Sequence, residues 1–323
     1  MGFRSLFEAH GLEDIAQEKP DDEFWVGVLG GSLAEMFVHD ATARRDFELR
    51  LSSLPSAEGR KVRVINLAHG GYKQPQQFIM YSLYGDKLDL AINIEGVNEV
   101  SDFLLGGQFP IEYPLTSYRH YYQSSPGQFY LKSAELLVTA VHHLHFGYIH
   151  ITSFHYSPLV TLGVLTATRL ALPLHRYFQN EFVHAYRKAY PNHPKYEDPS
   201  LQRQMIATWE KFTRLQVQIA KENGVPLWVF MQPNQYIRDS KVFTDWEQKN
   251  VFADHRKGFA PVYENLRRRV RELGASGLPI HDLSQIFFYT KETIYKDDCC
   301  HINGAGNLIL SAELAKIISS QGQ

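Results

Sequence analysis

The feature that most constrains the fold is an alternation of short apolar runs with segments of helical length in roughly the first third of the chain. The apolar runs are FWVGVLGG (24–31), KVRVINLA (61–68) and LDLAINIEG (88–96). Segments of helical length lie between them, at roughly 33–51 and 74–85. Because strand, helix, strand, helix, strand is typical of a parallel sheet with helices on both faces, the sequence predicts an α/β fold.

The same alternation resumes after residue 199. A helix is predicted at 200–222, because its apolar side chains recur at steps of three and four. The members of this stripe are Leu201, Met205, Trp209, Phe212, Leu215 and Ile219. The later predicted elements are a strand at 225–232, a helix at 261–274, a short strand at 278–284 and a last helix at 304–320.

Residues 101–199 do not fit this alternation. The block is aromatic and rich in histidine, and it is far longer than the crossover of about a dozen residues that parallel strands need. Sheet elements are predicted on both sides of it. We therefore interpret 101–199 as a mainly helical insertion that caps the sheet within a single domain spanning 1–323.

Charge and cysteine content exclude several classes of protein. The net charge of the chain is -2, so there is no concentrated basic character of the kind that nucleic-acid binding needs. The two cysteines, Cys299 and Cys300, are adjacent and cannot join distant segments, which excludes a disulfide framework. The histidines between 142 and 155 match no zinc-ligand spacing, and we expect no metal there.

No membrane segment is predicted. Residues 1–24 lack the apolar core of a signal peptide. The longest apolar candidate, 157–173, is too short and too polar to span a bilayer, and it is better interpreted as a buried helix. We expect the chain as given to be soluble, and its cellular compartment stays open.

The first apolar run ends in Gly30-Gly31-Ser32 and then becomes helical, which is compatible with two kinds of site. Glycines at such a junction leave room for a bound phosphate. However, the stretch supplies neither G-x-G-x-x-G nor the lysine of a Walker loop. The alternative is a reactive serine hydroxyl, which needs a base, a group that orients the base, and donors for an oxyanion.

Residues of these types occur at suitable places. Asp298 and His301 are three residues apart just before the last helix, a spacing that lets a carboxylate hold an imidazole. Gly71 and Asn98 follow the second and third predicted strands, as Ser32 follows the first. Because open α/β sheets bind ligands beyond the carboxyl ends of their strands, we expect these side chains to converge.

Each residue also has an ordinary structural interpretation. Ser32 alone would be a helix N-cap, and Asp298 is open to the same interpretation. His301 is equally compatible with a hydrogen-bonded surface histidine, and Gly71 and Asn98 with turn residues. The agreement of all these positions with one another favours a catalytic site.

The motifs resemble those of the SGNH hydrolases, also called the GDSL esterase/lipase family. GGSLAE resembles the first block, which makes Ser32 the nucleophile and an oxyanion donor through its backbone N–H. INLAHGGY resembles the second block, with Gly71 as the oxyanion glycine and Gly70 as the second choice. The chain departs from the name motif at Gly31, where the family has aspartate.

The remaining blocks lie further along the chain. EGVNEV resembles the third block, with Asn98 as the oxyanion amide and Glu99 in place of the usual aspartate. DDCCH resembles the D-x-x-H block, with Asp298 orienting His301. The resemblance covers about 24–320 but not the insertion.

The resemblance implies a flavodoxin-like sheet in the order 2-1-3-4-5 and hydrolysis of carboxylic esters through an acyl-enzyme, without metal or organic cofactor. The expected partner is a small-molecule ester or an acylated glycan. An O-acyltransferase on the same scaffold and a catalytically silent carbohydrate-binding module are the alternatives. Proteins that this sequence resembles often carry an amino-terminal membrane anchor, so membrane association stays open.

Overall fold

The sheet of the protein is built from five short strands in the computed structural model, which describes residues 15, 18–106, 128–150, 157–189, 198–253 and 258–321. The strands are β1 (Glu23–Gly30), β2 (Lys61–Asn66), β3 (Leu90–Glu95), β4 (Leu227–Met231) and β5 (Ile280–Asp282). All are parallel, and they lie in the order β2-β1-β3-β4-β5. The predicted flavodoxin-like α/β fold class is therefore confirmed.

The helices of the described residues follow the predicted alternation. Their bounds are α1 (Ser32–His39), α2 (Ala41–Leu51), α3 (Gln76–Tyr84), α4 (Val97–Gly106), α5 (Gln128–His150), α6 (Pro158–Ala189), α7 (Pro199–Glu222), α8 (Asp245–Asn250), α9 (Phe259–Ala275) and α10 (Gly304–Gln321). Short 3-10 turns lie at Pro55–Ala57 and Gly85–Lys87.

The central strands are buried on both faces, as parallel strands covered by helices must be. Every residue of β1 and of β3 is buried. Successive side chains of a strand point to opposite faces, so the sheet separates two apolar clusters. Trp25 and Leu29 of β1 belong to one cluster, and Val26 and Val28 belong to the other.

The predicted single helix over 33–51 is wrong, because the chain forms two helices separated at Asp40. The carboxylate of Asp40 accepts hydrogen bonds from the backbone N–H groups of Thr42 and Ala43, at 3.1 and 3.2 Å. An aspartate at this position satisfies N–H groups that have no partner inside the helix and favours a new helix start. Apolar spacing alone does not reveal this boundary.

The chain divides into two compact units, one formed by residues 1–115 and 194–323 and the other by residues 116–193. In the smaller unit, α5 and α6 pack against each other. The insertion's predicted role as a cap on the sheet stays a prediction. Most of the histidine-rich stretch between 142 and 155 lies outside the described side chains. Among the described helices, none combines the length and apolarity needed to cross a bilayer.

Two glutamates lie buried at the carboxyl end of β3. Glu95 accepts hydrogen bonds from Trp209 Nε1 at 2.6 Å, Asn93 Nδ2 at 2.7 Å and Gln74 Nε2 at 3.0 Å. Burial is the largest effect on Glu95, and together with repulsion from the nearby Glu99 carboxylate it raises the pKa of Glu95 to about 8. The three hydrogen bonds act in the opposite direction and lower this pKa. Burial also raises the pKa of Glu99. The pair therefore favours a protonated state in the folded chain.

The buried pair predicts a pH-dependent stability. The pKa of Glu95 is about 8 in the folded chain against an ordinary 4.5, so the folded state binds more protons between these values. Its contribution to the free energy of unfolding therefore falls as the pH rises through that range. In urea unfolding series from about pH 5 to about pH 9, the stability advantage of wild type over Glu95→Gln should shrink as the pH rises.

The matched control is Glu222→Gln, which changes an exposed glutamate at the end of α7. Its difference from wild type should stay nearly constant over the same pH range. A difference between wild type and Glu95→Gln that does not depend on pH would contradict the assignment.

Candidate active site

Ser32 lies at the junction where β1 passes into α1. Gly31 has extended backbone angles and precedes the helix, and Ser32 is its first residue. The first N–H groups of a helix have no partner within it and carry the positive end of the helix dipole. The local fold therefore places a hydroxyl and an electropositive N–H on the same residue, at the carboxyl edge of the sheet.

His301 lies in a loop that folds back on itself before α10. Tyr295 and Ile302 form an antiparallel bridge, and the backbone N–H of Lys296 donates to the carbonyl of His301 at 3.0 Å. The N–H of Asn303 donates to the carbonyl of Ile294 at 2.9 Å. We call residues 294–303 the histidine loop. Its ends are paired, so its tip has a defined orientation.

The histidine loop brings His301 to Ser32 at the carboxyl edge of the sheet. His301 Nε2 lies 2.7 Å from Ser32 Oγ, although the two residues are 269 positions apart in the sequence. On the other side of the ring, His301 Nδ1 lies 2.5 Å from Asp297 Oδ2. Carboxylate, imidazole and hydroxyl thus form one continuous hydrogen-bonded chain, which is the geometry of a serine nucleophile with its base.

The carboxylate in this chain is Asp297, and the sequence-based choice of Asp298 is corrected. Asp297 Oδ1 accepts the backbone N–H groups of Cys299, Cys300 and His301, at 3.0, 3.2 and 3.3 Å. These bonds turn the backbone so that the carboxylate of Asp297, which precedes His301 by four positions, faces the imidazole ring. Asp298 contributes its backbone carbonyl, which accepts a hydrogen bond from the Tyr236 hydroxyl at 2.7 Å.

The pKa shifts of Asp297 and His301 agree with this geometry. Burial alone would raise the pKa of Asp297, but the hydrogen bond and charge of His301 and the backbone N–H donors lower it to about 2. Burial alone would lower the pKa of His301, yet the hydrogen bond that its ring donates to Asp297 and the charges of Cys299 and Asp297 raise this pKa. Asp297 therefore stays ionised over the ordinary pH range and favours the protonated imidazole that a general base becomes.

The loop after β2 approaches Ser32. A Cβ added at Gly70 would lie 3.9 Å from the Cβ of Ser32. The backbone N–H of Gly70 donates to Glu35 Oε2 at 2.8 Å, so this N–H is already engaged. Gly71 has φ of 82°, a left-handed conformation that glycine adopts without strain. Within the described residues no acceptor is assigned to the Gly71 N–H.

Asn98, at the start of α4, reaches the same junction. Its Nδ2 donates to the carbonyl of Tyr72 at 2.8 Å, and the side chain is buried. A Cβ at Gly31 would overlap the Asn98 amide nitrogen, so glycine at 31 permits their close approach. An amide nitrogen carries two hydrogens, and Tyr72 uses only one of them.

Sequence reasoning missed Glu35. It follows Ser32 by one helical turn, and its carboxylate joins α1 to the loop after β2 through Gly70. His69 Nδ1 lies 3.5 Å from Glu35 Oε1. Nothing in the sequence indicated this role. Acidic residues are common in the first turn of any helix, because they interact favourably with the helix dipole.

Comparisons with known proteins give distant similarities. No protein-family model and no curated protein matches the sequence. A proposed acylhydrolase from Bacteroides fragilis is 9% identical, with a TM-score of 0.47 over 97% of this chain and 96% of that one. An acetyl xylan esterase is 10% identical, with a TM-score of 0.44 over 91% and 100%. A lipase/acylhydrolase from Enterococcus faecalis is 10% identical, with a TM-score of 0.39 over 92% and 96%.

Proposed function

We propose that this protein is an SGNH-type serine hydrolase that cleaves carboxylic esters through an acyl-enzyme. The observation that carries the proposal is the hydrogen-bonded chain from Asp297 through His301 to Ser32, with distances of 2.5 and 2.7 Å. A serine hydroxyl is a weak nucleophile unless a positioned base removes its proton. This geometry supplies the base and the group that orients it.

In the first step, His301 Nε2 takes the proton of Ser32 Oγ while the oxygen attacks the acyl carbonyl carbon. Asp297 accepts the Nδ1–H of the ring, which fixes the tautomer with a lone pair on Nε2. The carboxylate then stabilises the imidazolium that forms, without itself taking the proton.

The carbonyl oxygen becomes an oxyanion in the tetrahedral intermediate. We assign its stabilisation to the backbone N–H groups of Ser32 and Gly71 and to the side-chain amide of Asn98. The positive end of α1 adds to this field. One such donor is typically worth about 3 kcal/mol in the transition state.

Collapse of the intermediate requires proton donation to the leaving group. The imidazolium of His301 protonates the leaving alcohol, and the acyl group stays on Ser32 Oγ. A water molecule then enters, loses its proton to His301 Nε2 and attacks the acyl carbon, which releases the acid and restores Ser32. None of these steps requires a group from outside the chain other than ester and water.

The direct test is a series of p-nitrophenyl esters of increasing acyl length. Wild type should hydrolyse at least one member of the series, and Ser32→Ala should lose about 10⁴-fold or more in kcat. The control is Ser56→Ala, an exposed serine in a 3-10 turn, which should keep wild-type rates. Equal rates for wild type and Ser32→Ala would refute the proposal.

The two neighbouring aspartates offer a matched pair of variants. Asp297→Asn should lower kcat by about 10⁴-fold, because the ring loses its orienting carboxylate. Asp298→Asn should stay within about threefold of wild type, because its side chain is not part of the hydrogen-bonded chain.

The pH profile adds a second readout to the same pair. Activity needs a neutral His301, and Asp297 raises the pKa of that ring. Without the carboxylate the pKa falls, so the acid limb of kcat/KM for Asp297→Asn should move to lower pH, while that of Asp298→Asn stays in place. A stronger loss in Asp298→Asn than in Asp297→Asn would contradict the assignment.

A further inference from the structure

The histidine loop gathers three metal-binding side chains that the proposed reaction uses only in part. The ligand atoms of Cys299, Cys300 and His301 all lie within 4.8 Å of one another. Within the described residues this is the one group of three or more such side chains at this spacing. The two sulphur atoms are 3.2 Å apart and form no disulfide.

The backbone of the histidine loop explains why three consecutive side chains converge. Asp297 Oδ1 accepts the N–H groups of all three residues, so the chain turns around one oxygen atom. The bridge between Tyr295 and Ile302 closes the loop behind them. The backbone that carries the three donors is thus fixed by contacts that do not involve the sulphur atoms. Cys299 is partly exposed, which gives an ion access.

The donor set has a clear chemical preference. Two thiolates and an imidazole are the ligands that Zn²⁺ takes in proteins, in tetrahedral geometry. With a Zn–S distance of about 2.3 Å, two sulphurs on one tetrahedral ion lie about 3.8 Å apart. The distance between the two sulphur atoms therefore has to increase by only about 0.6 Å, which a small side-chain rotation can supply.

We propose that Cys299, Cys300 and His301 form a site for a thiophilic divalent cation of the Zn²⁺ type. The ion replaces the two thiol protons, which are released to solvent, and binds both thiolates and one ring nitrogen. The remaining tetrahedral position is taken by water.

Metal binding and catalysis exclude each other at His301. Its Nδ1 is engaged by Asp297 and its Nε2 by Ser32, so an ion that binds the ring must displace one of these partners. Either displacement removes the base from the serine. The site is therefore inhibitory, and this consequence rests on the proposed function, whereas the binding of the ion does not.

The binding test uses Co²⁺ as a spectroscopic probe, in the presence of a phosphine reductant that keeps the thiols reduced. Thiolate bound to cobalt gives a near-ultraviolet charge-transfer band that histidine and carboxylate ligands do not give. Because Cys299 and Cys300 are the only two cysteines of the chain, this band reports on this site alone. We expect the band to saturate at one cobalt per chain and to disappear when Zn²⁺ is added.

Variants locate the site. Cys299→Ser and Cys300→Ser should each weaken cobalt binding by at least about tenfold, and the double variant should lose the charge-transfer band. His175→Ala, at a partly exposed histidine of α6, is the control and should keep the band. Cobalt binding without a charge-transfer band in wild type would mean binding to histidines elsewhere and would overturn the proposal.

Inhibition is measured as the ratio of ester-hydrolysis rates with and without Zn²⁺ within each protein. The ratio should fall at least about tenfold in wild type and stay near one in the double variant. An intact band in a chain that hydrolyses no ester would refute the proposed function and leave the metal site standing. Hydrolysis without the band would refute the metal site alone. Equal inhibition of wild type and the double variant would refute the inhibitory role of this site.

Discussion

The arrangement of the candidate active site depends on the two oxygen atoms of one carboxylate. Asp297 Oδ1 accepts three consecutive backbone N–H groups, and Oδ2 holds the imidazole of His301. The three backbone hydrogen bonds to Oδ1 fix the turn of the histidine loop. The hydrogen bond to Oδ2 fixes the orientation of the imidazole ring within that loop. Because both act through one rigid group, backbone shape and ring orientation cannot change independently.

Two glutamates hold the other parts of the site in a similar way. Glu247 Oε1 accepts the backbone N–H groups of Ile294 and Tyr295 at the base of the histidine loop, at 2.9 and 3.0 Å. Its other oxygen pairs with Lys241, and both side chains are fully buried. Removing one partner of a buried ion pair is strongly destabilising, so this pair fixes the base of the loop. Glu35 holds the loop after β2 through Gly70.

The fold was largely predictable because periodicity reports burial. The five strands were located from apolar runs, since a parallel sheet covered on both faces leaves a strong signal, and the helix after residue 199 was located from apolar residues at steps of three and four. The predicted buried face of α7 was partly wrong. Leu215 is exposed, whereas Thr213 and Gln216 are fully buried. Thr213 and Gln216 lie within hydrogen-bonding distance of the polar groups around Glu95, and no hydrophobic pattern predicts such contacts.

The site was predictable in outline but not in the choice of carboxylate. Ser32 and His301 were identified from residue type and position, and the structure brings them within 2.7 Å. Asp297 and Asp298 are adjacent and chemically identical, so only the direction of the loop backbone distinguishes them. That direction is set by hydrogen bonds to Asp297 Oδ1, which spacing does not encode.

The most direct test of a Ser32 nucleophile is covalent labelling by a fluorophosphonate, followed by intact-mass measurement and peptide mapping. The probe phosphonylates a serine only when a neighbouring base activates it. We expect a single adduct, on the peptide that contains Ser32, and none on Ser32→Ala. An unlabelled wild type, or an adduct of the same extent on Ser32→Ala, would contradict the account.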